Sequence, residues 1–429
     1  MEPVQTGGDA ARAVPGNAAR SAKLNRDIFH AYDIRGIYGS DFDDQFAREI
    51  ANKAVTHFGA RTVLVARDGR VSSESLERLV ITGVNQAGAD AISIGLSTTP
   101  LFYWSVVTAQ ADLGIMITAS HNPPAYNGFK VIRKDGTLVS GTKLGKVFDE
   151  EFVVSNGTGT TMTMETAAQY LDQVMAMAGP DPLNTSISAN IPPLMEGHMG
   201  ALCQQYGITL DRASRWHVHM DPDADRISFY EDGEKIPADC ICALLADTLG
   251  ATTVVHDLRF SRSVLEYWAS KGIAAVASRV GRLNMAVNMR EVDAQVGGET
   301  SGHFYFKPFF YLEAPEAVLL LVLRAMQTSG ASLADLTAPY RKYFKSDEVS
   351  IPENGKWFQL RQRLKETYKD GKITENDGVT VEFTESDGTL SWWANLRPSN
   401  TEPVLRLIVE AKSKDLLQEK VSEIRYLLQ

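Results

Sequence analysis

The sequence predicts a multi-domain α/β protein that closes with an α+β domain. Short apolar runs alternate with longer segments of helical spacing from Phe29 onward, the pattern of β-α units and a largely parallel sheet. That alternation stops near Tyr343. The length of 429 residues, at about 150 per domain, exceeds what one core holds.

The elements follow in order. Residues 1–22 are rich in Ala, Gly and small polar residues and contain no aromatic, so a disordered tail is expected. Helical spacing runs over Phe42–Phe58 and Ser73–Ala87, with strands at Thr62–Ala66, Ala91–Ile94 and Leu113–Ile117. A stretch of Gly, Thr, Asn and Pro from Gly157 to Pro193, broken by one helical segment at Glu165–Met177, marks a boundary at its start. The rhythm returns at His217–Met220 before Cys240–Leu249, at Thr252–His256 before Val264–Lys271, and at Ala274–Ser278 before Leu283–Arg290. Strands at Val379–Phe383, Leu390–Asn395 and Val404–Ala411 then flank helices at Lys356–Tyr368 and Lys414–Leu428. The expected domains are 23–157, a short second domain 158–251, then 252–345 and 346–429.

Composition narrows the function. Lys and Arg number 43 against 53 Asp and Glu, a formal net charge of −10, which argues against nucleic acid or an acidic membrane surface as partner. The three cysteines form no C-x-x-C pair, so neither a disulfide framework nor a zinc site is expected. Apolar runs such as Ala317–Leu323 end in charged residues, far short of a membrane span, and no apolar signal segment opens the chain. A cytoplasmic protein is expected.

Four loops carry chemistry. Thr118-Ala119-Ser120-His121-Asn122-Pro123 follows the strand Leu113–Ile117, where open parallel sheets collect ligands, and Tyr126-Asn127-Gly128-Phe129-Lys130 adds a flexible glycine and a cation. Asp221, Asp223 and Asp225, at every second position, can converge on one cation; oxygen-only ligands favour Mg²⁺. His217 and His219 share their parity, but strand histidines are commonly structural. Gly297-Gly298-Glu299-Thr300-Ser301-Gly302-His303 offers donors and acceptors to hydroxyl groups, and read alone is equally a Gly-rich turn. Arg397-Pro398-Ser399-Asn400-Thr401-Glu402-Pro403 has the composition of a phosphate cradle.

Together and in this order the four loops resemble the α-D-phosphohexomutase family, most of all its bacterial phosphomannomutase/phosphoglucomutase members. Tyr32-Asp33-Ile34-Arg35-Gly36 and Arg67-Asp68-Gly69-Arg70 add to the likeness, which runs from about Phe29 to the C-terminus. The resemblance implies four domains, three α/β with mixed sheets and one α+β, each lending one loop to a central cleft. It implies interconversion of hexose 1- and 6-phosphates of mannose or glucose, with a hexose 1,6-bisphosphate as activator, by a monomer or homodimer. It makes Ser120 the phosphoserine and a Mg²⁺ ligand beside Asp221, Asp223 and Asp225. Lys130 and Arg35 would stabilise the transferring group, with His121 beside them. Tyr32, Arg226, Glu299, Ser301 and His303 would contact substrate, and Arg397, Ser399, Asn400, Thr401 and Arg406 would grip the non-reacting phosphate.

Two departures stand out. Asn190–Arg215 is short for the second domain, as though one β-α unit were missing. The family usually reads R-x-G-H-S-x-x-K ahead of the third loop, whereas this chain has Arg282 in the His position and Ala286 in the Lys position. The site is therefore expected to lack one positive charge and an acid/base group, help worth roughly 10²–10⁴-fold in rate. The runner-up reading is a catalytically weakened phosphosugar-binding or regulatory paralogue.

Overall fold

A computed structural model describes residues 24–155, 158–353, 355–399 and 404–428. The expected tail at 1–22 lies outside the described residues. Within them the chain folds into four successive sheets.

In the first sheet, Leu113–Ile117 is buried along its whole length and runs parallel to Thr62–Arg67, which in turn runs parallel to Asp90–Leu96. Tyr126–Arg133 returns antiparallel to Leu113–Ile117, pairing Met116 with Lys130, and also receives Ile34–Ile37. The sheet is therefore mixed. Asn127, Gly128 and Phe129 belong to this strand, so Gly128 is no flexible loop residue. A Cβ on Gly128 would stand 1.8 Å from the Ile34 carbonyl oxygen, and glycine is needed to let the two strands meet. Asp43 caps the helix Asp44–Phe58 through the Phe46 N–H, and Gly59 closes it in the left-handed region. The strand Thr161–Thr163 pairs with Asp90–Leu96, which carries the first sheet past the boundary expected at 157.

The second sheet sets Ser186–Asn190 parallel to Trp216–Met220 on one side and to Thr209–Leu210 on the other, and a hairpin of Ile227–Glu231 and Glu234–Ile236 extends it beyond Trp216–Met220. The short segment between still holds a helix, Glu196–Tyr206. The helix Ala238–Thr248 belongs with the third sheet and not the second: Cys242 packs so closely on Gly298 that a Cβ there would meet its Sγ at 2.6 Å, and Asp239 accepts the Ser261 N–H. The third sheet has Thr253–Asp257 between Ala274–Ser278 and Val296–Gly298, all parallel, with Phe304–Phe306 antiparallel at the far side. Helix Pro315–Ser329 buries residues on all its faces, which joins the second and third units into one core. No single helix among the described residues is long and apolar enough to cross a membrane. The fourth sheet is antiparallel, with Leu390–Pro398 and Val404–Ala411 at its centre, and has its own core.

Candidate active site

The loop after Leu113–Ile117 is held by a residue outside it. Arg70 donates to the carbonyl oxygens of Ser120 (2.6 Å), Asn122 (2.8 Å), Pro123 (2.8 Å) and Tyr126 (3.0 Å), and its Nε donates to Asp68 (3.0 Å). Ser120 itself has φ 50°, an uncommon conformation for a non-glycine residue and one typical of functional sites. It is 2% exposed, and its Oγ has no hydrogen-bond partner among the described residues. Asp33 grips Arg35 through two bonds of 2.9 Å, aiming its Nη1 at the Asn122 side chain at 2.8 Å. Removal from water within the cleft, with Arg226 and Arg35 beside it, pushes the His121 imidazole down to about 4, so it is neutral at physiological pH.

The second loop leaves the strand Trp216–Met220 and brings its three carboxylates within 4.8 Å of one another. Each is buried and each keeps one oxygen without a hydrogen-bond partner among the described residues: Asp221 Oδ2, Asp223 Oδ1 and Asp225 Oδ1. Burial and the two neighbouring carboxylates push Asp221 well above the usual carboxylate range. Burial works the same way on Asp223 and Asp225, but Lys130 and Arg282 outweigh it and hold both low. An all-oxygen set of crowded, unsatisfied carboxylates fits a hard divalent cation. His217, by contrast, contacts Ser188 at 3.1 Å and stays on the strand.

Lys130 reaches this cluster from the first sheet, donating to Asp223 (2.6 Å) and Asp225 (3.0 Å). Arg282 reaches it from the third: Nη2 donates to Asp225, Nη1 donates to the Tyr103 hydroxyl (2.8 Å), and Nε lies 3.4 Å from Glu313. The expected charge deficit is thus filled by Arg282 itself. Arg290 turns away, onto the carbonyls of Gly136 and Phe310. Ala286, in the family's Lys position, is 2% exposed.

The third loop is fixed from both ends. Glu299 accepts the Gly281 N–H (2.7 Å) and the Tyr305 hydroxyl (2.6 Å). His303 lies 2.8 Å from the Ser301 hydroxyl and 3.3 Å from Arg226 Nε and Asp225 Oδ1. Tyr32 donates to the Val280 carbonyl (2.8 Å), tying the first unit to the third. Arg397, at the start of the fourth loop, and Arg406, on the strand Val404–Ala411 that follows it, approach Glu348, at 3.3 and 3.5 Å. Ser399 donates its N–H to Val404, and Asn400 and Thr401 lie outside the described residues. Side chains of the first three units therefore meet at one cluster, centred on Asp225.

Sequence reasoning missed Arg259, Tyr103, Glu313 and Glu348. Arg259 stands two residues beyond the strand Thr253–Asp257, a strand-end position that could have flagged it.

Models of the phosphoglucomutase/phosphomannomutase α/β/α domain I, α/β/α domain III and C-terminal domain match residues 26–150, 232–343 and 348–426. The chain belongs to this family, the α-D-phosphohexomutases. It is 30% identical to a phosphomannomutase of Methanocaldococcus jannaschii over 94% of this chain and 97% of that one. It is 29% identical to a phosphoglucomutase of Neisseria gonorrhoeae over 92% and 95%. A solved phosphoglucomutase/phosphomannomutase family protein of Burkholderia thailandensis has the same fold, with a TM-score of 0.81 at 24% identity over 95% of this chain and 98% of that one.

Proposed function

We propose that this protein is a phosphohexomutase that interconverts hexose 1-phosphate and hexose 6-phosphate of mannose or glucose. One observation carries the reading. The unpartnered Ser120 hydroxyl is next in the chain to His121, which feels the charges of Asp223 and Asp225, and those two carboxylates are paired with the cations Lys130 and Arg282. Phosphoryl transfer asks mainly for positioning and charge neutralisation, and these groups supply both.

In the reaction, Ser120 carries a phosphoryl group on Oγ. A free sugar hydroxyl attacks the phosphorus, the P–Oγ bond breaks, and a hexose 1,6-bisphosphate forms. The sugar turns within the cleft and returns its other phosphate to Ser120, so phosphate is conserved. The proton of the attacking hydroxyl ends on the released Ser120 Oγ, and the neutral His121 imidazole, next to Ser120 in the chain, can accept a hydrogen bond from that hydroxyl. Lys130 and Arg35 hold charge near the moving group. Tyr32, Arg226, Glu299, Ser301 and His303 orient the sugar, and Arg397, Ser399, Asn400, Thr401 and Arg406 take the idle phosphate. Asp221, Asp223 and Asp225 would hold Mg²⁺ with a Ser120 oxygen, and that ion would neutralise phosphoryl charge.

The test is a coupled mutase assay on mannose 1-phosphate and glucose 1-phosphate with Mg²⁺ and glucose 1,6-bisphosphate, run on wild type and Ser120→Ala. Turnover should appear in the wild type alone, with peptide mapping placing phosphate on Ser120. Undiminished turnover in the variant would remove Ser120 from the chemistry. Sugar-phosphate binding without any turnover would establish the binding-protein reading instead.

A further inference from the structure

The carboxylate cluster is braced from the first unit by a residue that belongs to none of the four loops. Thr99 opens the helix Thr99–Thr108 and is fully buried. Its Oγ1 donates to Asp223 Oδ2 (3.0 Å) and accepts from Lys130 Nζ (3.3 Å), while Lys130 donates to the same Asp223 oxygen (2.6 Å). Thr99, Lys130 and Asp223 thus close a ring of hydrogen bonds. The Thr99 N–H donates to the Asp223 carbonyl (3.1 Å), a second bond from the first unit to the metal-cluster loop. That donor is available because a helix leaves its first N–H groups without internal partners. The Thr98 hydroxyl takes the Leu101 N–H, and Pro100 has none to satisfy. The carbonyl that Thr99 holds leads into Ala224, whose φ of 55° is uncommon for a residue with a Cβ. Such a conformation persists only where its surroundings fix it. Thr99 fixes one side of that peptide, and the Ala224 N–H on the Asp221 carbonyl (3.0 Å) fixes the turn from within.

We infer that Thr99 is a positioning residue of the cation site, and that its hydroxyl decides which oxygen of Asp223 is spent inside the protein and which is left for the metal. This rests on the reading above that Asp221, Asp223 and Asp225 hold Mg²⁺. The two oxygens of a carboxylate are equivalent, and a turn about its last torsion exchanges them. Two donors on Oδ2 set that torsion, and Oδ1 is the oxygen without a hydrogen-bond partner among the described residues. A hydroxyl suits the task because it donates to the carboxylate and accepts from the ammonium at once. Valine has nearly the same shape and can do neither. Without the hydroxyl, Asp223 is free to turn and offer Oδ1 to Lys130, and the ammonium then competes with the metal for that oxygen. Removing an outer partner that orients a metal ligand typically costs about 10–100-fold in metal affinity. Thr99 touches neither substrate nor the reacting atoms, so its part is to hold a ligand in place.

The test titrates MgCl₂ into the metal-free full chain and reads Kd by calorimetry. Thr99→Val should weaken Mg²⁺ binding about tenfold, while Thr99→Ser, which keeps the hydroxyl, should stay within about twofold of the wild type. Thr99→Ala takes the place of Thr99→Val if that variant unfolds in chelator, and should weaken Mg²⁺ equally. A contact that merely docks the two units would lower the metal-free melting temperature and leave the Mg²⁺ affinity of the folded chain at its wild-type value. That result overturns the inference, and so does a serine variant that binds no better than valine. Asp223→Asn separates this inference from the reading beneath it. If Asp223→Asn loses Mg²⁺ affinity and Thr99→Val does not, the aspartates hold the metal and Thr99 does not position them. If Asp223→Asn binds Mg²⁺ as the wild type does, or the wild type binds none, the metal reading fails and takes this one with it.

Discussion

Arg282 and Asp225 form a buried ion pair that joins the third unit to the carboxylate cluster of the second. The guanidinium also lies 3.3 Å from His303 and 3.4 Å from Glu313, so it fills the space that Asp225, His303 and Glu313 enclose. A residue that replaces a family histidine has become the centre of a charge network. Its cation stands against a carboxylate that a metal would use, and that predicts a trade.

Arg282→Ala should leave Glu313 and Asp225 buried without their main counter-charge. Removing one partner of such a pair costs about 3 kcal/mol of stability. The same change removes a repelling cation from the metal cluster, so Mg²⁺ should bind more tightly, by about tenfold or 1.4 kcal/mol. Thermal melting without metal and a Mg²⁺ titration of the same variant check the two signs together. A variant that melts as the wild type and binds Mg²⁺ no better would show that Arg282 carries no weight in the network.

Restoring the family's lysine should not help. Ala286 lies one turn after Arg282 on the helix Arg282–Glu291 and is buried. A lysine there must either disturb the packing or lose its charge, and Arg282 already supplies the cation. Ala286→Lys is expected to cost about 3 kcal/mol in stability with no gain in kcat. Melting and steady-state kinetics decide it, and a faster enzyme would show that the charge deficit is real.

The site loops were legible because their chemistry is written in adjacent letters. Asp221, Asp223 and Asp225 converge as their alternation implies, and Ser120 follows a buried strand as the strand-end rule requires. What escaped is what depends on distant packing. The compensation by Arg282 needs Asp225, Glu313 and Tyr103, which lie 57, 31 and 179 positions away in the chain. Glu348 meets Arg259 across 89 positions, and no local pattern announces that. Asn127 and Gly128 are turn formers, and their letters suggest a loop. They sit in a strand because Ile34–Ile37 presses on it too closely for any side chain at 128. The helix Ala238–Thr248 looks like the partner of the strand before it, yet it packs on the third sheet, with Cys242 against Gly298.

His256 gives the fold a pH dependence whose sign is fixed. Burial pushes its imidazole down from 6.5 to about 4, with Asp257 working weakly the other way, and its Nδ1 lies 2.8 Å from the Asp257 carbonyl. The unfolded chain therefore binds the extra proton between pH 6.5 and 4, and the folded chain does not. Stability from this group is complete above pH 6.5 and is lost as the pH falls toward 4, by about 3 kcal/mol in all. Melting temperature measured across that window should fall steadily in the wild type and less in His256→Gln. Equal slopes would mean that other groups carry the acid sensitivity.

The clustered aspartates should respond differently to the same change. Asp223 and Asp225 are paired with Lys130 and Arg282, whereas among the described residues Asp221 meets the backbone N–H groups of Asp225 and Arg226 at 3.1 Å and the Arg226 guanidinium at 3.6 Å. Without metal the Asp221 charge is crowded by two like charges in a buried place, and its affinity for protons is raised accordingly. Asp221→Asn relieves that crowding and keeps a side-chain oxygen for the two N–H groups. It should raise the melting temperature of the metal-free protein while weakening Mg²⁺ binding. Asp225→Asn also weakens Mg²⁺, but it takes the counter-charge from buried Arg282 and should lower the metal-free melting temperature, by roughly 3 kcal/mol in stability. Adding Mg²⁺ stabilises whatever binds it, by an amount that grows with the ratio of its concentration to Kd. Melting each variant in chelator and in excess Mg²⁺ thus separates the two roles. A Mg²⁺-dependent rise in melting temperature as large in both variants as in the wild type would mean that the carboxylates do not hold the metal, and a lower metal-free melting temperature for Asp221→Asn would mean that its charge is already compensated.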